Sequence, residues 1–202
     1  VHIIYAGNNQ AAGAPSNAIW SHQWNIEDKN ITYNNVKLSS YSCSSELRGA
    51  KDSIINTIGS FCHEYLHSWG LIDMYDTNKE TEGLSKALYG NLSIMDNGYE
   101  LNEGNTPPYL NAIEREIIGT ATIIDLVPGN KYTLLPINEN GTIGRIKTNT
   151  EGEYFLLECR NMSKWDKFIA GEGLVVYHVD KSENIYAGIS SILTPRYINQ
   201  YG

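Results

Sequence analysis

His63-Glu64-Tyr65-Leu66-His67-Ser68-Trp69-Gly70-Leu71-Ile72-Asp73 sets two imidazoles, one carboxylate and a second acidic residue in a fixed order along a short stretch of chain. On a helix, positions four apart lie one above the other, so His63 and His67 can offer ring nitrogens to a single ion. Glu64 projects about 100° further round. That offset keeps it off the ion but within reach of a water on it, where a general base belongs. The chain holds five histidines in 202 residues, so the expected number of chance His-Glu-x-x-His matches is on the order of 0.01. Accident is a poor explanation, and the pattern reads as a catalytic zinc site with Glu64 as base.

The surrounding sequence supports a helix. Ile54, Ile55, Ile58, Phe61, Cys62, Leu66 and Trp69 recur at three- and four-residue spacing, which predicts a buried stripe. His63, His67 and Asn56 fall on another flank, toward a cleft. Gly70 stands where a left-handed residue would stop the helix and let the chain reverse. A reversal there swings Asp73 back to the ion as third ligand. Asp76 is close enough in sequence to compete for that place, or to act as an outer or calcium ligand. Asp73 is preferred because the glycine-anchored spacing leads to it.

With these residues in hand, the chain resembles the metzincin metallopeptidases, whose zinc motif is followed by a methionine-containing turn. Ser93-Ile94-Met95-Asp96 is similar to that turn, with Met95 beneath the metal. Within the group, the resemblance is to the immune inhibitor A peptidases, family M6. Ile19-Trp20-Ser21-His22, Leu71-Ile72-Asp73-Met74-Tyr75-Asp76 and Pro107-Pro108-Tyr109-Leu110-Asn111-Ala112 carry it. Glu153 to Glu158 and Gly171 to Asp180 extend it, so that it covers roughly residues 1 to 180. Many metzincins use a third histidine where this sequence has Asp73, as the immune inhibitor A group leads one to expect. Two residues after the methionine, many metzincins place a tyrosine that assists the oxyanion. Here that position is Asn97, and Tyr99 is the nearest substitute. The resemblance further implies that strands, a helix, a signal and a pro-segment lie upstream of Val1.

Composition bounds the alternatives. A chain of 22.6 kDa with 41% hydrophobic residues and a mean hydropathy of -0.35 can bury a sizeable core, and no apolar run reaches spanning length. A net charge of -8 with only 15 Lys and Arg argues against nucleic-acid partners, which need clustered cations. Cys62 reads as an inert thiol on the apolar flank of the zinc helix; the sequence leaves open whether Cys43 and Cys159 pair, and implies no disulfide framework. His2, His22 and His178 read as structural residues.

The expected fold is α+β. A metzincin-like zincin catalytic unit over residues 1–119 holds a small mixed sheet, the zinc-site helix, the Met-turn and a C-terminal helix. A β-rich unit over residues 120–202 packs on it. Val1 to Ala6 opens as a strand, and Ile31 to Ser42 forms two short strands about an Asn34-Asn35 turn. Thr77 to Gly90 is a loop on the cleft side. Leu110, Ile113, Ile117 and Ile118 mark a helix between Pro107 and Gly119. Beyond it come β-prone runs at Ala121 to Leu126, Lys131 to Leu135, Thr142 to Lys147, Tyr154 to Glu158 and Gly173 to Val179.

The expected function is that of a secreted zinc-dependent endopeptidase, extracellular, periplasmic or at the cell surface as the resemblance implies. One zinc is expected as cofactor, with calcium open as a second ion. The partner is a protein or peptide substrate, paired with the exposed strand at Ile31 to Tyr33. Two other functions compete. One is a non-catalytic protein- or glycan-binding module on the same scaffold, against which the intact Glu64 weighs. The other is a zinc hydrolase of non-protein amides, against which Gly70, Asp73 and Met95 weigh.

Overall fold

The computed structural model describes residues 1–51, 54–75, 89–139 and 141–181. Asp76 and most of the loop expected over Thr77 to Gly90 lie outside these residues. The architecture is mixed α and β, with few helices and several small sheets.

The first sheet has three strands: β1 (His2–Tyr5), β2 (His22–Asn25) and β5 (Ser40–Ser45), in the order β1-β5-β2. β1 runs parallel to β5 and β2 antiparallel to it. The central strand is Ser-Tyr-Ser-Cys-Ser-Ser, small where it matters. Its last four residues are buried, so a helix can lie close against them. The hydroxyls that this buries keep partners: Ser42 and Ser44 lie 2.8 and 2.9 Å from the two ring nitrogens of His2.

β3 (Thr32–Tyr33) and β4 (Val36–Lys37) form a separate ribbon. Asn34 and Asn35 between them both take left-handed backbone, with φ of 47° and 62°, as a two-residue hairpin turn of this hand requires. The ribbon is thus where the sequence places it. Thr32 and Tyr33, expected to seat a substrate, do not belong to the sheet on which the helix Ile58–His67 packs. That sheet's antiparallel edge is β2.

Helix α1 (Ile58–His67) packs across β5. The expected isoleucine stripe is only partly real. Cys62 and Leu66 pack against the core, whereas Ile54, Ile55, Ile58 and Trp69 are all exposed. The helix begins later than its periodicity suggests, because Asn56 is held outside it by bonds from its side-chain amide to Ser45, and Thr57 is extended.

Gly59 governs how close α1 comes to the turn formed by Asn97–Glu100. Its N–H donates to the Gly104 carbonyl at 2.9 Å, and a Cβ there would lie 1.9 Å from the Tyr99 carbonyl oxygen. Gly59→Ala should therefore destabilise the fold by about 1–3 kcal/mol or more, read as a lowered urea midpoint. An unchanged midpoint would mean that the turn yields freely.

Helix α2 (Ala112–Ile117) starts at a capping box. Asn111 Oδ1 accepts the Glu114 N–H, while Glu114 Oε2 accepts the Asn111 N–H. A second sheet follows, ordered β6 (Ile123–Asp125), β7 (Ile143–Lys147), β8 (Glu153–Arg160), β9 (Gly173–Asp180). Four of the five expected β-prone runs are present there. Lys131 to Leu135 is not a strand: Tyr132 and Leu135 are exposed and Pro136 makes a lone bridge to Cys159. One buried cluster joins Leu71, Met74 and Met95 near α1 to Ile113 of α2 and to Ile143, Leu156 and Tyr177 of the second sheet. The second sheet is also tied to the segment before α2. Buried Arg160 bonds Glu158, Asp166 and the Tyr109 carbonyl, and Asp166 accepts the Tyr109 N–H. All three cysteines are free, including Cys43 and Cys159.

Candidate metal centre

The last turn of α1 and the reversal after it build the site. Gly70 takes φ of 93°, with its N–H on the His67 carbonyl and the Leu71 N–H returning to the Leu66 carbonyl. That left-handed step turns the Leu71 carbonyl back toward the helix. The carbonyl accepts the Nδ1–H of His67 at 2.8 Å. Leu71 and Met74 are buried on either side of Asp73, so the segment is anchored while Asp73 reaches the histidines.

His63 is oriented in the same manner from the opposite direction. Its Nδ1 lies 2.9 Å from the Ile94 carbonyl, within the turn Ser93 to Asp96. Met95 itself is fully buried, and its carbonyl accepts the Met74 N–H at 2.8 Å. The turn therefore holds one imidazole directly and the chain at Asp73 through the next residue.

With both Nδ1 atoms donating to carbonyls, both Nε2 atoms face inward. Asp73 Oδ1 lies 3.1 Å from His63 Nε2 and 3.4 Å from His67 Nε2. One ligand atom from each of the three residues falls within 4.8 Å of the others. Asp73 Oδ1 is buried between these two ring nitrogens. Three lone pairs thus converge on one point, which costs energy unless a proton or a cation lies there. Burial alone would raise the Asp73 carboxyl, but the bonds and charges of His63 and His67 outweigh it and hold it well below the usual carboxylate range. Burial alone would lower His67, but Asp73 and the Leu71 carbonyl outweigh it and raise it. Two imidazoles, each with its other nitrogen on a carbonyl, and one carboxylate are donor types that a zinc ion takes.

Glu64 is half-buried beside this cluster. Burial pushes its carboxyl up, while the charges of His63, His67 and His22 pull it down against Asp73, with a net rise. A raised carboxyl is better matched to proton transfer near neutral pH.

Tyr99 does come to the site, though as a wall. Its ring centroid is 4.8 Å from that of His63, a consequence of the close approach at Gly59. Burial, then the Glu100 carboxylate, push its hydroxyl up to about 12. Tyr75 is a neighbour to which the sequence assigns no role. Its hydroxyl interacts with Asp73, and burial followed by that carboxylate raises it strongly. It stays protonated and can steady Asp73; its one sequence signal is its place two residues on. A cleft of about 450 Å³ opens beyond Tyr99, between Ser45, Arg48, Thr57, Ser60 and Glu100, and none of the three ligand candidates borders it.

The other histidines are engaged elsewhere. His22 spans the Trp20 carbonyl and the Tyr41 hydroxyl, and His178 pairs with Glu153. His63, His67 and Asp73 are the single three-residue cluster suited to a metal among the described residues.

A family model described as immune inhibitor A peptidase M6, catalytic domain, matches residues 1–117. That span runs from β1 to the last residue of α2 and includes the whole cluster. The segments Glu153 to Glu158 and Gly171 to Asp180 lie outside it. No curated protein matches the chain. Peptidases of this family are zinc-dependent in general, and the match supports a metallopeptidase-type function acting on protein. With more than half of its length matched and the motif of a zinc peptidase assembled in space, this chain belongs to the immune inhibitor A peptidase family, M6.

Proposed function

We propose that the protein is a secreted zinc endopeptidase in which His63, His67 and Asp73 hold the metal and Glu64 is the general base. The observation that carries this reading is the buried Oδ1 of Asp73 facing two inward Nε2 atoms. Bound zinc would supply Lewis acidity, lowering the pKa of water there to about 7 and polarising the scissile carbonyl. Glu64 takes the proton from the attacking water and returns it to the leaving amine. The carbonyls of Ile94 and Leu71 keep each imidazole in the tautomer that leaves Nε2 free. Met95 floors the site. Tyr99 seats His63 and donates to the oxyanion only by leaving Glu100.

The substrate lies along β2, the antiparallel edge of the sheet under α1, where backbone groups can pair with an extended peptide. The organisation follows the same reading: a metzincin-like catalytic unit over residues 1–119 and a β-rich unit over 120–202. The extracellular, periplasmic or cell-surface location rests on the family. Among the described residues no helix is long and apolar enough to cross a membrane.

The test is metal removal and return. The protein as isolated should carry one zinc per chain and cleave casein. A chelator should end cleavage, and zinc should restore it. Zinc at about a thousand times its dissociation constant should add about 4 kcal/mol to the stability of the stripped protein, seen as a rise in Tm. A protein that binds zinc stoichiometrically but cleaves no denatured protein or peptide would favour the binding module. Cleavage confined to small amides would favour the non-protein hydrolase.

A further inference from the structure

The peptide group between Ile94 and Met95 is hydrogen-bonded at both ends. Its oxygen accepts from His63 Nδ1 at 2.9 Å. Its nitrogen donates to the Ser93 hydroxyl at 3.0 Å and to Glu114 Oε1 at 3.2 Å, and the Ser93 hydroxyl donates to that same Oε1. Glu114 Oε2 accepts the Asn111 N–H at 2.7 Å. The side chain is fully buried.

A capping box accounts for only half of this. It uses Oε2, and an exposed Glu or Gln can do the same work without the cost of burying a carboxylate. The other oxygen is directed at the turn that orients a metal-ligand candidate. Amide resonance moves electron density from nitrogen to oxygen, so an anion at the N–H end makes the carbonyl at the other end a stronger acceptor. A stronger acceptor on Nδ1–H makes Nε2 a better donor and fixes the ring. The next carbonyl of the turn, that of Met95, accepts from Met74, one residue after Asp73.

We propose that Glu114 is a positioning residue of the metal centre, acting through Ser93 and the Ile94–Met95 peptide to orient His63 and strengthen it as a ligand. It does across a peptide what a carboxylate bonded directly to a ligating histidine does in other zinc sites. The inference rests on the reading of His63, His67 and Asp73 as zinc ligands. Burial lifts the Glu114 carboxyl to about 7, and Glu158 adds to this, against the pull of Ser93, Asn111 and Met95. Two of those three donors are amide N–H groups, each directed at a carboxylate oxygen of Glu114.

The experiment is a zinc titration at about pH 8, where the carboxyl is ionised, with a chromophoric chelator as competitor. Glu114→Gln should raise the zinc dissociation constant about 10- to 100-fold. In the zinc-loaded protein the His63 Nδ1 proton should move upfield as its bond weakens. Ile143→Val, a core truncation on β7, should lower Tm and leave both readings at their wild-type values. Wild-type zinc affinity in Glu114→Gln would overturn the inference, as would an equal loss in Ile143→Val. If Glu114→Gln does not fold, Ser93→Ala decides: removal of the hydroxyl link should weaken zinc at least about threefold, and an unchanged constant would overturn the inference. Failure of the wild-type chain to bind zinc would instead overturn the ligand assignment.

Discussion

Glu64→Gln should lose at least about a thousandfold in kcat/KM for casein or a peptide while retaining one zinc per chain, within the 10²–10⁴-fold span of acid-base catalysis. Glutamine has the shape of glutamate and can still hydrogen-bond a water, but it cannot accept a proton. The three groups that converge on the metal position are His63, His67 and Asp73, so the substitution leaves the donor set whole. The local field explains why this carboxylate suits the task. It stands next to two imidazoles that pull its pKa down, and burial pushes it up by more. Casein hydrolysis and metal analysis on the same sample are decisive together. Near-wild-type turnover with zinc in place would remove Glu64 from the base role, whereas loss of zinc would place it among the ligands.

The grouping of His63, His67 and Asp73 is legible in the sequence because it is local. His63, Glu64 and His67 share one helix, and Gly70 and Asp73 follow at fixed distance, so spacing along the chain translates directly into spacing in three dimensions. The hairpin at Asn34-Asn35 was readable for the same reason, since left-handed turn chemistry is a two-residue property. The failures share a different cause. Ile54 and Ile55 continue the helical period of α1, but periodicity does not register the competition by which Asn56 bonds β5 and keeps those residues outside the helix. Lys131 to Leu135 has strand-like composition without a partner strand to complete it. Exposed residues mark Ile31 to Tyr33 as an edge strand, while membership of a sheet depends on pairing across the sequence gap between β1, β2 and β5.

What supports the three candidate side chains is least readable. Leu71 and Ile94 contribute carbonyls, which any residue could supply, so no side-chain pattern marks them. Tyr75 has only its position after Asp73. Glu114 did leave a trace, the Asn111-x-x-Glu114 spacing of a capping box, but that signal accounts for its bond to Asn111 and not for its bond to Met95. The same holds for Arg160, Glu158 and Asp166: three buried charges whose mutual contacts appear only when β8 and the segment at Tyr109 meet.

Asp73→Asn tests the weakest link in the motif and should have an effect as large as that of Glu64→Gln, by a different route. Asn keeps the shape and one oxygen but removes the negative charge that makes Oδ1 a zinc ligand. Loss of an outer partner of a ligand costs about 10- to 100-fold in metal affinity, so loss of a ligand itself should exceed that, and peptidase activity should fall with the zinc. The fold should persist, because Leu71 and Met74 anchor this segment through burial and Met74 through its bond to Met95. Asp76→Asn is the matched control. If the glycine reversal at Gly70 delivers Asp73 to the histidines, Asp76→Asn keeps zinc and activity. Zinc retained in Asp73→Asn but lost in Asp76→Asn would transfer the third position to Asp76. It would also mean that the contact between Asp73 Oδ1 and the two Nε2 atoms belongs to the metal-free site alone, with the chain after Gly70 moving on to a different register when the ion binds.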